Sequence, residues 1–265
     1  MFREPSYEDS LVNIIRRLSW IRKKSEIVKK KEEKMDKNKK TARLVGVLFI
    51  IGTVAGILSA IVIPPILNDP QYLVKFSENR NMVILGVLLV LTMGISLSLM
   101  SVILFPVLKK YNEALALGAV IFRGALELVS YLGIAISWIL LLVLSQEYVK
   151  TGTPVAASTE LMGTTLKSLA FYIGSSGLGA VLFTIGAIII YYIFYKTKLI
   201  PTWLSLWGLL GAILYLVSPI LIMFDFQVEF LQYPLAVQEM IMAVWLIIKG
   251  FNSSAFNSLM TIEQV

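Results

Sequence analysis

Six stretches of this chain, at about residues 44–67, 82–107, 116–145, 168–195, 201–224 and 230–249, are almost continuously apolar. A helix needs about 20 predominantly apolar residues to cross the hydrocarbon of a bilayer, and soluble strands are far shorter. The stretches lack the period-two alternation of an outer-membrane barrel, so helices are the remaining way to satisfy the backbone in lipid. The chain is therefore expected to be all-α: a polytopic transmembrane helix bundle of six spans. The sixth stretch is the weakest. Its first half, Gln232-Tyr233-Pro234-Leu235-Ala236-Val237-Gln238-Glu239, is polar, and a re-entrant or partly embedded segment is the alternative there. Pro234 suits the first turn of that helix, where a missing N–H costs nothing. Pro64-Pro65 is expected to end the first span.

The apolar fraction of 57% and the mean hydropathy of +0.78 leave no aqueous fold open to the chain. The net charge of +7 describes mainly the N-terminus, since 14 of the 24 Lys and Arg lie in residues 1–43. Basic residues sort by side. Residues 1–43, Lys109, Lys110, Lys196, Lys198 and Lys249 share one side, whereas Lys75, Arg80, Lys150 and Lys167 share the other. The rich side belongs in the cytoplasm, which predicts a multi-pass cell-membrane protein with both termini cytoplasmic. The organisation expected is a basic segment 1–40, a six-helix domain 41–252 and a short tail 253–265.

In the basic segment Leu11, Ile14, Ile15, Leu18 and Ile21 recur at helical spacing among Arg16, Arg17, Arg22, Lys23 and Lys24, and Ser6 with Asp9 fits a capping box. This pattern suits an interfacial amphipathic helix touching anionic lipid. The alternative is a dispensable extension, with the functional chain starting at Met35. No short apolar region with a small-residue cleavage site precedes residue 44, so a cleaved signal peptide is not expected. A basic tail against a first span points to lipid rather than nucleic acid.

The chain has no Cys and no His. That excludes disulfides, thiol nucleophiles, thiolate-held iron–sulfur clusters, histidine-ligated haem or zinc, and any triad with an imidazole base. No catalytic residue, metal or cofactor is expected. Gly52, Gly56 and Ala60, and again Gly208 and Ala212, recur four apart and let helices approach in lipid. Gly174-Ser175-Ser176-Gly177-Leu178-Gly179 lies in an apolar span with no following Lys, so it reads as close packing or a polar-lined stretch of helix rather than a phosphate loop. Tyr191, Tyr192 and Tyr195 with Trp203 and Trp207 read as an interfacial aromatic belt.

Three ionisable residues fall inside spans: Arg123 and Glu127 in the third and Glu239 in the sixth. Facing lipid, each would cost roughly 2.5–3.5 kcal/mol at a helix centre, so they are expected to face the bundle and find partners. Arg123 and Glu127 are i,i+4 on one face, which Ser130 and Tyr131 continue. Glu239, ten residues before Lys249, lies about 15 Å from that end of its helix, a depth that Glu127 shares. The candidate site is thus an intramembrane cluster of Arg123, Glu127, Glu239 and Gln238, with Tyr131 and Glu113 as secondary candidates. Gln238 or a tyrosine is expected to hydrogen-bond the carboxylate that Arg123 does not neutralise, unless that acid holds a proton. Such a cluster either binds a solute or relays a proton, or it is an ion pair fixing helix register. The spacing demands neither a glycosidase-like pair nor an all-oxygen metal site.

Several blocks carry a resemblance. They are Lys40-Thr41-Ala42-Arg43-Leu44-Val45-Gly46, Asn112-Glu113-Ala114-Leu115-Ala116-Leu117-Gly118, Lys198-Leu199-Ile200-Pro201-Thr202-Trp203-Leu204-Ser205, and Gln238-Glu239-Met240 followed by Trp245-Leu246-Ile247-Ile248-Lys249-Gly250-Phe251. In this order they resemble the prokaryotic membrane family catalogued as domain of unknown function 4386, over about residues 41–252. The resemblance implies a six-helix bacterial or archaeal membrane protein with no assigned activity. It also implies that Arg123, Glu127 and Glu239 occupy the family's polar motif positions.

Function is expected to be non-catalytic, as a sensor, accessory or stress-related membrane component with a small-molecule or membrane-protein partner. The alternative is a small-solute or proton-coupled transporter using the Arg/Glu cluster. Deleting residues 1–34 is expected to leave membrane insertion and thermal stability unchanged; loss of either would mean that the segment packs into the bundle. Reporter fusions at Lys198 and Val265 are both expected to read cytoplasmic. An external signal at Val265 beside an internal one at Lys198 would leave five spans.

Overall fold

The computed structural model describes residues 7–151, 156–174 and 177–261, and every regular element among them is a helix. In chain order these are α1 (Tyr7–Leu67), α2 (Tyr72–Glu78), α3 (Arg80–Leu108), α4 (Glu113–Ala119), a π-helical segment (Val120–Leu126) and α5 (Glu127–Thr151). Then follow α6 (Ala156–Ile173), α7 (Leu178–Thr197), α8 (Thr202–Ile222), a 3-10 turn (Glu229–Gln232), α9 (Tyr233–Ile248) and α10 (Ser253–Thr261). Six runs are long and apolar enough to cross a membrane: Asn38–Leu67, Arg80–Leu108, Glu113–Lys150, Ala157–Thr197, Thr202–Ile222 and Glu229–Ile248. The chain is a multi-pass membrane protein built as a six-span bundle. The weak sixth stretch is helical from the 3-10 turn to Ile248, with Pro234 in its first turn as expected.

Two apolar cores close the ends of the bundle. At the end carrying Arg43, Lys109, Lys196 and Lys249, the basic end, Phe49, Leu104, Tyr191, Phe194 and Leu246 are buried together. At the far end α2 lies across the bundle and buries Leu73 and Phe76 against Ile63, Val83, Leu141 and Leu142. Helices in lipid gain little from hydrophobic burial against one another, so close approach at small residues matters more. Gly52 faces Leu97 and Gly56 faces Met93, which seats α1 on α3.

The structure revises several expectations. Between the expected third and fourth spans the described residues are helical, because α5 runs on to Thr151 and α6 begins at Ala156. The polarity that hid α6 is absorbed locally: Thr164 and Thr165 donate to the carbonyls of Glu160 and Leu161, four residues back. Lys167 donates to the Leu67 carbonyl at the end of α1, 2.8 Å away, and lies 5.5 Å from the Tyr72 ring. The first span, by contrast, ends at Leu67 as expected, with Pro64 and Pro65 in its last turn and the Pro64 carbonyl accepting from the Asn68 N–H. Tyr191 is not part of an aromatic belt. It is 1% exposed, with its ring against Gly208 of α8, whereas Tyr192, Tyr195 and Trp203 are exposed. In the N-terminal segment the backbone is one helix with the first span; the side chains of Leu11, Ile14, Ile15, Leu18 and Ile21 and the Ser6 cap lie outside the described residues.

Residues after 252 are more than a tail. Gly250 takes φ 74, a left-handed conformation natural to glycine, and turns the chain back beside Lys39 and Ala42 of α1. The Asn38 amide then donates to the Phe251 carbonyl, and the Asn252 N–H to the Leu199 carbonyl. Phe251 and Phe256 stack at 6.4 Å, and Phe256 is 2% exposed. Phe256→Ala is therefore expected to destabilise the protein by about 3 kcal/mol in thermal unfolding in lipid nanodiscs, while the exposed Ser253→Ala leaves it unchanged. An unchanged melting curve for Phe256→Ala would show that α10 does not hold the basic end together.

Candidate functional site

The third span departs from α geometry where it passes the middle of the bundle. From Val120 to Leu126 it winds as a π-helix, a rare wide turn that is frequent at functional sites. Across from it, Gly186 of α7 lies so close that a Cβ there would fall within 2.9 Å of the Arg123 Cα. Only glycine permits this approach, and it carries Phe183, one turn earlier on α7, to the guanidinium of Arg123 at 4.2 Å. The ring of Phe49 on α1 lies 5.7 Å from the same group.

The Arg123 guanidinium serves two carboxylates. Its Nη1 donates to both oxygens of Glu127 at 2.5 and 2.6 Å, and its Nη2 donates to Oε1 of Glu239 at 3.1 Å. The Tyr131 hydroxyl adds a third hydrogen bond to Glu127, at 3.0 Å. Arg123 and Glu127 side chains are 2% and 3% exposed, whereas that of Glu239 is 13% exposed. The acids are thus held unequally. Glu127 accepts three hydrogen bonds; Glu239 accepts one, and its other oxygen receives none from the described residues.

The sequence candidates sort accordingly. Arg123, Glu127, Glu239 and Tyr131 come together. Gln238 does not join them: it points across α9 to α8, where its amide donates to the Leu204 carbonyl at 2.9 Å, and its carbonyl oxygen is buried without a hydrogen bond near Tyr191. Adjacent residues on a helix point about 100° apart, so Gln238 and Glu239 could not both face Arg123. Glu113 is exposed in the first turn of α4, beside the Asn112 cap, far along the helix from the cluster. Ser130 donates to the Leu126 carbonyl within its own helix.

Glu239 also lines a cavity of about 420 Å³, whose wall includes Arg123, Glu127, Tyr131, Phe183 and Tyr215. That volume lies within the range of small-molecule sites. A second cavity of about 360 Å³ continues towards the far end, past the Trp138 ring to Asn68 and Lys167, and both cavities touch Gly56, Ala60, Met93, Tyr131 and Gly174. The glycine-rich stretch of the fourth span lies here as a break: α6 ends at Ile173 and α7 begins at Leu178, with Ser175 and Ser176 outside the described residues. Gly179 meets Ser130 at this level, since a Cβ on it would fall 3.0 Å from the Ser130 hydroxyl. Phe49, Phe183 and Tyr215 escape a sequence reading because aromatic residues are ordinary span filler; only Gly186, three residues after Phe183, hints at close packing there.

No curated protein and no solved structure matches the chain. A family described as a domain of unknown function, DUF4386, matches residues 44–250. Since that match runs from the first span to the end of the sixth and encloses Arg123, Glu127 and Glu239, the chain belongs to the DUF4386 family.

Proposed function

We propose that the protein is a small-solute transporter in which Glu239 changes partners while Arg123 and Glu127 stay paired. The observation that carries this reading is the unequal satisfaction of the two acids at a cavity wall. One guanidinium and two carboxylates leave one negative charge in a medium that screens poorly. One further positive charge balances it, and that charge is either a proton or a cationic solute. Both cannot occupy Glu239 together, so binding one releases the other, which couples solute movement to proton movement. The break in the fourth span beside the cavity supports the reading, because irregular backbone at membrane depth is tolerated where it lines a binding site. With the basic end in the cytoplasm, the cavities lie on the external side of the cluster.

The full hydrogen bonding of Glu127 favours a structural role for that residue. The Arg123–Glu127 pair then clamps the π segment, and only Glu239 cycles. In proteoliposomes containing trapped pyranine, quaternary ammonium ions added outside are expected to drive proton exit, since such ions cannot cross as neutral bases. Glu239→Gln is expected to keep the wild-type Tm and lose this exchange. Glu127→Gln is expected to lose about 3–5 kcal/mol of stability, the cost of breaking a buried pair. Exchange that survives in Glu239→Gln, or none with any quaternary ammonium ion in the wild type, would overturn the transport reading.

A further inference from the structure

The route to Glu239 is written in how α1 and α9 diverge. Near the basic end the two helices touch: a Cβ on Gly46 would lie 2.6 Å from the Ala243 carbonyl oxygen. Towards the far end they part, and Ile57 and Ala60 of α1 line the cavity beside Tyr233, Ala236 and Glu239 of α9. The rim residues also face outwards, with Ile57 at 55% and Tyr233 at 66% exposure and both alanines exposed. Since these positions lie within runs long and apolar enough to cross a membrane, their outward sides are placed to meet lipid. Tyr233 at the rim and Glu239 at the cluster lie about 9 Å apart along α9.

The other route is unfavourable for a cation. The second cavity leads past Lys167, whose ammonium sits at its far end. A positive charge there repels a positive solute, while the sideways opening is bordered by apolar groups and ends on a carboxylate. Besides Glu239 and its partners the inner cavity carries the polar side chains of Thr53, Ser130 and Gln232, while Ile57, Met93, Leu97 and Leu235 give it an apolar wall that accepts an alkyl body. The faces of Tyr131 and Tyr215 suit a quaternary or primary ammonium head.

We infer that the solute is an amphiphilic cation, an ammonium head on an apolar body, and that it reaches Glu239 sideways from the bilayer through a window between α1 and α9. This inference rests on the transport reading and narrows its substrate class. The test compares octyltrimethylammonium with tetramethylammonium, which share a head, in the pyranine proteoliposomes. The octyl ion is expected to drive proton exit at concentrations about tenfold lower or more, the gain expected when several methylenes leave water. Ile57→Trp and Ala236→Trp, at the window, are expected to slow that exchange while keeping the wild-type Tm; Asn68→Trp, in the second cavity, is expected to leave it unchanged. Should a tryptophan variant unfold, Ala236→Cys labelled with a bulky maleimide in the folded, otherwise cysteine-free protein provides the same block. Equal or better exchange with tetramethylammonium, or slowing by Asn68→Trp and not by the window variants, would overturn the lateral route while Glu239-dependent exchange stands. Absence of exchange with both ions, or indifference to Glu239→Gln, would remove the transport reading and this inference with it.

Discussion

Everything at the centre of this bundle depends on one guanidinium being divided between two carboxylates. An arginine in hydrocarbon is tolerable only when its donors are used, and Arg123 spends one terminal nitrogen on Glu127 and the other on Glu239. Because the two acids come from different spans, the same contacts that neutralise Arg123 tie the third span to the sixth. The division is uneven. A hydroxyl from Tyr131, on the same helix as Glu127, tips the local pair towards completeness, while the distant partner has one oxygen without a hydrogen bond from the described residues. Among the described residues the two acids differ by two hydrogen bonds, three at Glu127 against one at Glu239.

The rest of the bundle supports that asymmetry. The π segment and the close approach of Gly186 set where Arg123 lies, and Phe183 and Phe49 provide faces rather than competing acceptors. Gly208 against Tyr191 seats α8 on α7, and Gly211 lies within 3.1 Å of the Leu235 backbone for a Cβ built there, which brings α9 and its Glu239 close. In a bilayer such contacts carry more of the association than apolar area does, so glycines recur where the cluster is positioned.

Much of this was legible beforehand, for physical reasons. Span length and the cost of charge in lipid are strong constraints, and they lead directly to six helices and to Arg123, Glu127 and Glu239 facing inwards. The i,i+4 spacing implied the first pair, and comparable depth implied the third partner. What escaped depends on direction or local compensation. Gln238 has the right depth but the wrong azimuth. Tyr191 has belt chemistry but lies over a glycine. The start of α6 was hidden because its threonines satisfy themselves within the helix and Lys167 caps α1. The packing of α10 turns on a single glycine conformation and on Phe251, which stacks on Phe256 and whose other ring partner, Phe194, is more than 50 residues away in the chain. Hydropathy averages over such features.

The core at the basic end, closed by Phe49, Leu104, Tyr191, Phe194 and Leu246, also has an electrical meaning. Both described cavities lie on the far side of the cluster, so in the proposed exchange an applied membrane voltage falls chiefly across this packed half. Carrying one elementary charge through the full voltage takes about 2.3 kcal/mol per 100 mV. A strict one-for-one exchange of proton and monovalent cation at Glu239 carries no net charge and so feels none of that work. A crossing with Glu239 unoccupied would carry its negative charge through the field, and voltage therefore tells tight coupling from slippage.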